Sequence, residues 1–178
     1  LSSISTSNGE SVVLIYNNGV TQNNKNDYLP TLIVDEKGLA LNFSYDASLR
    51  ISKITLPDGT EYSYVYDASN RLLQIVFPDA NFKQYHYGET EHTSGASLPF
   101  ALTGITDEKG QRYATYKYDA NGNGISTEHA GGVDKSQAIY SADDVQITDA
   151  LGKTETRSFT TILGVRKVSA ITETVNGN

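Results

Sequence analysis

The sequence predicts an all-β protein, an array of about seven repeats that form antiparallel β-hairpins in a twisted, curved sheet with almost no helix. Three observations carry this reading. A 21-residue phrase occurs twice in succession between Tyr45 and Tyr87, opening as Tyr45-Asp46-Ala47-Ser48-Leu49-Arg50 and again as Tyr66-Asp67-Ala68-Ser69-Asn70-Arg71. A turn residue precedes an aromatic residue by seven or eight positions along most of the chain. The segments between turns alternate apolar and polar with period two, as in Leu39, Leu41, Phe43 and Tyr45, and no window shows helical periodicity. A fixed period of this size is the mark of a repeat architecture.

Taken in order, the first repeat (residues 1–28) places Gly9 seven positions before Tyr16 and carries a polar insertion at residues 21–27. The second (29–50) has Gly38 before Tyr45, and the third (51–71) has Gly59 before Tyr66, with Pro57 pre-setting the φ of a turn position. The fourth (72–100) has Ala80 in the glycine slot before Tyr87 and a second insertion at residues 88–99. In the fifth (101–123) and sixth (124–144) the offset is eight, from Gly110 to Tyr118 and from Gly132 to Tyr140, which flips strand parity and calls for a β-bulge or an extra turn residue. The seventh (145–178) returns to seven, from Gly152 to Phe159. The whole of 1–178 is expected to be one β-repeat segment of about fifteen short strands. Asp46, Asp67 and Asp119 each follow the aromatic residue, where an aspartate closes an Asx-turn on an amide two residues on.

Composition narrows the function classes. A formal charge of −7 spread along the chain without a basic block argues against nucleic acid as a partner. The absence of cysteine removes disulfides, thiolate nucleophiles and Cys-ligated zinc. No apolar run approaches the ~20 residues of a membrane-spanning helix. The chain has no methionine, so a trimmed or processed piece of a longer polypeptide is expected.

The phrase Tyr-Asp-Ala-x-x-Arg, followed by an apolar run, Pro57-Asp58-Gly59-Thr60 and the strand Tyr62-Ser63-Tyr64-Val65-Tyr66, resembles the RHS or YD-repeat family. The stretch from Ile105 through Gly110 to Tyr118-Asp119, and the stretch from Val145 to Gly152, resemble it as well. The pattern departs at Asn123, where the third complete copy would have arginine, at Gly88 after Tyr87, and at Ser141 after Tyr140. The resemblance implies a long β-ribbon that spirals into a hollow shell. In bacterial members the shell encloses a C-terminal toxic domain, and in teneurins a related shell belongs to a cell-surface adhesion receptor. It implies a non-enzymatic structural segment, secreted or on the bacterial cell surface, whose partners are the remaining repeats of the same polypeptide and an encapsulated C-terminal domain. The alternative is a carbohydrate-binding or adhesion module in which exposed tyrosines and the two insertions meet glycans.

The repeat-signature residues Tyr45, Asp46, Arg50, Gly59, Tyr66, Asp67, Arg71, Tyr87, Gly110, Tyr118, Asp119, Tyr140, Gly152 and Phe159 are read as turn and packing parts, because repetition belongs to stacking units rather than to a single catalytic site. No catalytic residue and no cofactor is expected. The one metal candidate is Asp119, Asn121 and Asn123, which match positions 1, 3 and 5 of a calcium loop with Gly124 at position 6, where a glycine is required; position 12 is Ala130, so the bidentate carboxylate is missing. His86, His92 and His129 are too scattered for ligand spacing, and His92 near Ser94 lacks a third member for nucleophilic catalysis. Cutting such a sheet leaves end strands near Ile4 and Val168 without partners, so an edge-to-edge dimer is expected.

Overall fold

In a computed structural model the described residues are 2–5, 7, 9–16 and 29–175; the insertion expected at residues 21–27 lies outside them. The chain divides into two compact units, Leu1–Phe82 and Lys83–Asn178. In the first, β1 (Ser2–Ser5), β2 (Ser11–Tyr16), β3 (Pro30–Asp35), β4 (Ala40–Tyr45), β5 (Ile51–Thr55), β6 (Glu61–Tyr66) and β7 (Leu72–Val76) follow one another as antiparallel neighbours in chain order. In the second the same order runs through β8 (Phe82–Tyr87), β9 (Leu102–Thr106), β10 (Arg112–Tyr118), β11 (Gly124–His129), β12 (Ser136–Tyr140), β13 (Asp144–Thr148), β14 (Lys153–Ile162) and β15 (Val165–Val175). Among the described residues, helical structure is limited to single 3₁₀ turns at Thr90–His92 and Ala130–Gly132. None of the described helices is long and apolar enough to cross a membrane. The fold is therefore the all-β array of hairpins that the repeat predicts. The final hairpin is longer than the rest, with strands of ten and eleven residues.

Register explains why the strands alternate. In the first unit the partners Ile33 and Leu41, Phe43 and Ile54, Ile54 and Tyr62, and Tyr64 and Ile75 lie opposite one another, so one face is apolar. Tyr62 and Phe77 meet edge to face at 5.8 Å on that face. The other face carries Asn42, Thr55 and Glu61 in one row, with Lys53 bridging Glu61 at 2.9 Å.

A single layer of strands has no second layer to close a core against, and most strand residues are only half-buried. Among the described residues the buried side chains, Thr93, Thr103 and Ala114, all lie in the second unit around the insertion after β8. The offset of eight is absorbed in two ways. After Gly110 a register shift falls between Arg112 and Ala114 of β10, and after Gly132 the turn itself lengthens, with Asp134 at φ 51 and β12 delayed to Ser136.

Candidate functional site

Two features stand out from the regular ladder: a stapled turn that recurs, and the folded insertion that interrupts it. The turn comes first. Asp46 donates its N–H to the Arg50 carbonyl at 2.9 Å while Leu49 donates to the Asp46 carbonyl at 3.0 Å, a type I turn closed by a left-handed residue. The same two bonds recur at 35–39, 56–60, 67–71, 77–81, 107–111, 119–123 and 149–153. Both ends of the hairpin array thus use one turn, and the left-handed position is filled by Gly38, Gly59, Gly110, Gly122 and Gly152 but also by Leu49 (φ 63), Asn70 (φ 66) and Ala80 (φ 66).

Aspartate at the head of the turn has a local reason. Asp46 Oδ1 accepts from the amides of Ser48 at 2.8 Å and Arg50 at 3.0 Å, and Asp67 Oδ1 does the same for Ser69 and Arg71. The second oxygen takes the arginine, at 2.7 Å for Arg50 and 2.6 Å for Arg71. The Arg50 backbone N–H and then its guanidinium hold the Asp46 carboxyl below the usual range, and Arg71 does so for Asp67, again with its backbone N–H first.

Arg50 then does something the turn alone does not require. Its Nη1 donates to the Asn70 side-chain oxygen at 2.8 Å and to the Asp67 carbonyl at 3.3 Å, and its guanidinium lies 4.4 Å from the centre of the Tyr66 ring. One repeat's arginine therefore staples the next repeat's Tyr-Asp turn. The tyrosine reaches the other way. Tyr45 donates its hydroxyl to the Pro30 carbonyl at 2.7 Å, Tyr66 to Ile51 at 2.9 Å, Tyr118 to Leu102 at 2.9 Å and Tyr140 to Gly124 at 3.0 Å. These hydroxyls are anchored on backbone, and half-burial pushes those of Tyr45, Tyr66 and Tyr118 above the ordinary phenol range. Tyr45, Tyr66, Tyr87, Tyr118 and Phe159 each sit immediately after a register shift in their strand. The bulge lets the ring lean over its neighbour.

Asp119 is the head of such a turn rather than the start of a calcium cage. Its Oδ1 accepts from the amides of Asn121 and Asn123, and its Oδ2 from the Asn123 side-chain nitrogen at 2.8 Å. Asn123 thus satisfies its own aspartate but is too short to reach onward as Arg50 does.

The insertion replaces a turn altogether. Gly88, at φ 63, stands where aspartate would follow Tyr87, and a Cβ there would press on the Leu98 carbonyl at 3.1 Å. The chain folds back through the 3₁₀ turn, and Gly88 donates to the Ala101 carbonyl at 2.9 Å. Glu89 is the anchor. Arg112 grips it with both terminal nitrogens, at 3.0 and 2.7 Å, while the Thr103 hydroxyl donates to Oε2 at 2.6 Å. Arg112 also donates to the carbonyls of Thr103 and Ala114. Its guanidinium crosses Gly104 so closely that an added Cβ would fall 1.9 Å from Nη2. Arg112 first, with help from Thr103 and against the opposing effect of burial, holds the Glu89 carboxyl at about 2.

The histidines fall apart around this anchor. His86 pairs with Thr106 Oγ1 at 2.7 Å and is depressed by burial, with Arg112 adding to the effect. His129 packs edge to face on Tyr113 at 4.8 Å. His92 lies 3.7 Å from Glu91, and its Nδ1 is enclosed without a partner. Ser94 donates to the Tyr118 carbonyl at 2.9 Å, not to His92, so no nucleophile pair forms. Ligand atoms of Glu89, Glu91 and His92 lie within 4.8 Å of one another. Both Glu89 oxygens are taken by Arg112 and Thr103, so of the three it is Glu89 that ties the loop to the strands. Sequence reading missed Glu89, Thr103 and Arg112. The available signal was Gly104, a glycine inside an alternating strand, which marks a close approach.

The RHS Repeat family matches residues 33–81, the segment that contains the stapled Asp46 and Asp67 turns. Residues 33–81 are an RHS-repeat segment. The same turn continues beyond that segment at 107–111, 119–123 and 149–153. No curated protein matches the chain in sequence. In structure, the chain is similar to the crystal structure of TcdB2-TccC3-Cdc42, at 15% identity and a TM-score of 0.58, over 93% of this chain and 9% of that one. It is also similar to a Photorhabdus luminescens Tc holotoxin pore, at 16% identity and a TM-score of 0.54, over 92% of this chain and 10% of that one. A crystal structure of TcdB2-TccC3 without its hypervariable C-terminal region matches at 15% identity and a TM-score of 0.53, over 90% of this chain and 9% of that one. The chain thus spans about one tenth of the length of those chains, and at these identities the likeness concerns the fold.

Proposed function

We propose that this chain is a non-enzymatic stretch of wall in an RHS-type shell, and that the complete polypeptide uses the shell to hold a C-terminal toxin or effector apart from its surroundings until delivery. The observation that supports this best is the staple of Arg50 on the next Tyr-Asp turn, together with the tyrosine hydroxyls bonded back across the strands. Both tie neighbouring hairpins edge to edge, which is what a barrier needs and what a catalytic cleft does not. The neighbours' names point the same way, since they speak of a Tc holotoxin and of a hypervariable C-terminal region in a TccC3 complex. A secreted or cell-surface setting follows from this reading.

Carbohydrate binding has less support. The rings of Tyr45, Tyr66 and Tyr118 are half-buried with their hydroxyls on carbonyls, so they do not form an open ladder of aromatic faces.

The test uses the full-length gene product with a protease site inserted at the turn 149–153, where Leu151 is 93% exposed. The polypeptide beyond the repeats is expected to resist a general protease while the wall is intact and to be degraded after the specific cut. Equal degradation before and after would overturn the wall reading, and a glycan array that lights up with the intact chain would favour adhesion.

A further inference from the structure

The ladder of the second compact unit has one weak rung. Between β11 and β12 only Ser126 with Gln137 and Thr127 with Ser136 stand in register, one pair fewer than the three of the like-placed pairs β3–β4, β5–β6 and β9–β10, whereas β10 and β11 are in register from Ala114 to Tyr118, and β12 and β13 from Gln137 to Tyr140. The ladder stops three residues before Tyr140, as it does before Tyr45, Tyr66 and Tyr118, and here a third pair toward the turn is missing as well. Ile125 and Gly124 on one side, and Ala138, Ile139 and Tyr140 on the other, have no ladder partner across the gap.

Pockets open on both sides of this gap and share the same seam. One, of about 280 Å³, is lined by Tyr116, Ile125, Thr127, Ala138 and Ile147. The other, of about 550 Å³, is lined by Lys117, Ser126, Gln137, Ile139 and Thr148. Register partners in antiparallel strands point to the same face, so the row of Tyr116, Thr127 and Ser136 lies on one side of the sheet and the row of Lys117, Ser126, Gln137 and Thr148 on the other. Ser126 Oγ is enclosed at the seam with no hydrogen-bond partner, a cost that strand separation would relieve by letting in water.

The side chains that would close the seam are the ones missing from the repeat pattern. Arg50 covers Tyr66 and bonds the turn that follows it. The corresponding residue here is Asn123, whose amide ends on Asp119. Tyr140 is 43% exposed, and among the described residues no cation covers its ring. The turn after it is headed by Ser141, which bonds only Asp144. What remains across the open end is one side-chain bond, Tyr140 hydroxyl to the Gly124 carbonyl at 3.0 Å.

We infer that the β11–β12 seam is a built-in parting line, along which the sheet of the second unit opens while the hairpins on either side stay paired. The device is made by omission: a repeat without its staple separates two stretches that have stronger ladders. It concerns the chain's own opening and stands or falls independently of the wall reading.

Thiol labelling under native conditions tests it in the chain as it is. A Ser126→Cys thiol sits at the seam, and an Ala114→Cys thiol serves as the reference, since Ala114 is 3% exposed and lies on β10, which is in register with strands on both sides. The Ser126→Cys thiol is expected to react at least about tenfold faster than the reference, as befits a local opening of low free energy. Adding Asn123→Arg restores the missing staple and is expected to slow only the Ser126→Cys thiol. Adding Tyr140→Phe removes the one remaining bond without changing the ring and is expected to speed it several-fold. Equal rates for the two thiols overturn the proposal. So does any result in which the two added substitutions fail to move the Ser126→Cys rate in opposite directions.

Discussion

The turn 46–50 and the loop 88–101 occupy equivalent places in the array, each joining two strands after a Tyr, and they solve the same problem with different reach. At 46–50 the aspartate, its two amides and its arginine lie within five residues, and only the arginine extends to the next repeat. At 88–101 the aspartate is gone, Gly88 turns the chain, and the closing ion pair joins Glu89 to Arg112, 23 positions away. A short turn is stabilised by its own backbone, so each of its side chains is worth little. The long loop is held locally by its own backbone bonds, among them Gly88 to the Ala101 carbonyl and Ala101 to the Leu98 carbonyl, and is tied to the strands beyond it by one ion pair. The enclosed residues of the second unit, Thr93, Thr103 and Ala114, gather where that anchor is.

The largest effect expected from this contrast is at Glu89. Glu89→Ala leaves the Arg112 guanidinium against Gly104 and the Thr103 hydroxyl without an acceptor, and charged hydrogen bonds of this kind are worth about 1.5–3 kcal/mol. Urea unfolding of the chain is expected to show a loss of about 2–3 kcal/mol for Glu89→Ala, against a markedly smaller loss for Asp46→Ala. A reversed order would mean that the insertion is an ornament on the sheet. The anchor also has a pH signature. The folded carboxyl, held at about 2, lies below its ordinary value of 4.5, so its contribution is complete above about 4.5 and is lost as pH falls toward 2. His86 acts in the same direction at higher pH: its depressed folded pKa means that stability present above 6.5 declines as the ring is forced to protonate below it. Denaturation midpoints between pH 7 and 2.5 are expected to fall in two stages, and Glu89→Gln to shrink the lower one, the remainder coming from carboxyls such as Asp46 and Asp67 that are also held below the usual range.

The next effect sharpens the staple. Arg50→Ala loses its bonds to Asp46 and Asn70 and the stack on Tyr66, all partly exposed, for an expected loss of about 1–1.5 kcal/mol. Arg50→Lys keeps the charge but has neither the planar fork nor the stacking face, so it is expected to recover less than half of that loss in the same assay. Full recovery by lysine would reduce the staple to a point charge.

How much of this was legible in the sequence follows from what repeats and what does not. The strands, the aspartate-headed turns and the bulge called for by the offset after Gly110 could be read because each is a local pattern used several times, and the insertion at residue 88 showed itself by breaking the period. The reach of Arg50 to Asn70 was hidden because both residues already had a reading inside their own turns, and nothing local distinguishes a side chain that also serves the next repeat. Glu89 and Arg112 were hidden for the opposite reason. They occur once, so periodicity has nothing to count, and only Gly104 betrayed the crossing guanidinium. The left-handed residues of the second turn were missed because glycine was looked for and Leu49 and Asn70 hold the position; the turn imposes the conformation on whatever residue falls there.

That last point gives the smallest and cleanest test of the comparison. Ala80 holds φ 66 in the turn 77–81, where the equivalent position in the turn 56–60 is Gly59 at φ 83. For an L-residue with a Cβ this region costs about 1 kcal/mol, while glycine enters it freely but gives up more chain entropy on folding. The two terms oppose each other, and the first is the larger when the turn is already fixed by its hydrogen bonds, here Ala80 N–H to the Phe77 carbonyl at 3.0 Å and Phe77 N–H to the Asn81 carbonyl at 2.9 Å. Ala80→Gly is therefore expected to raise stability by about 0.5 kcal/mol in urea. Gly59→Ala is expected to lower it by a similar amount, since the space around Gly59 is open and only the backbone conformation is at stake. If the two substitutions shift stability in the same direction, the turns at 56–60 and 77–81 do not share one energetic plan, and the equivalence of repeats on which the staple argument rests would fail at its simplest point.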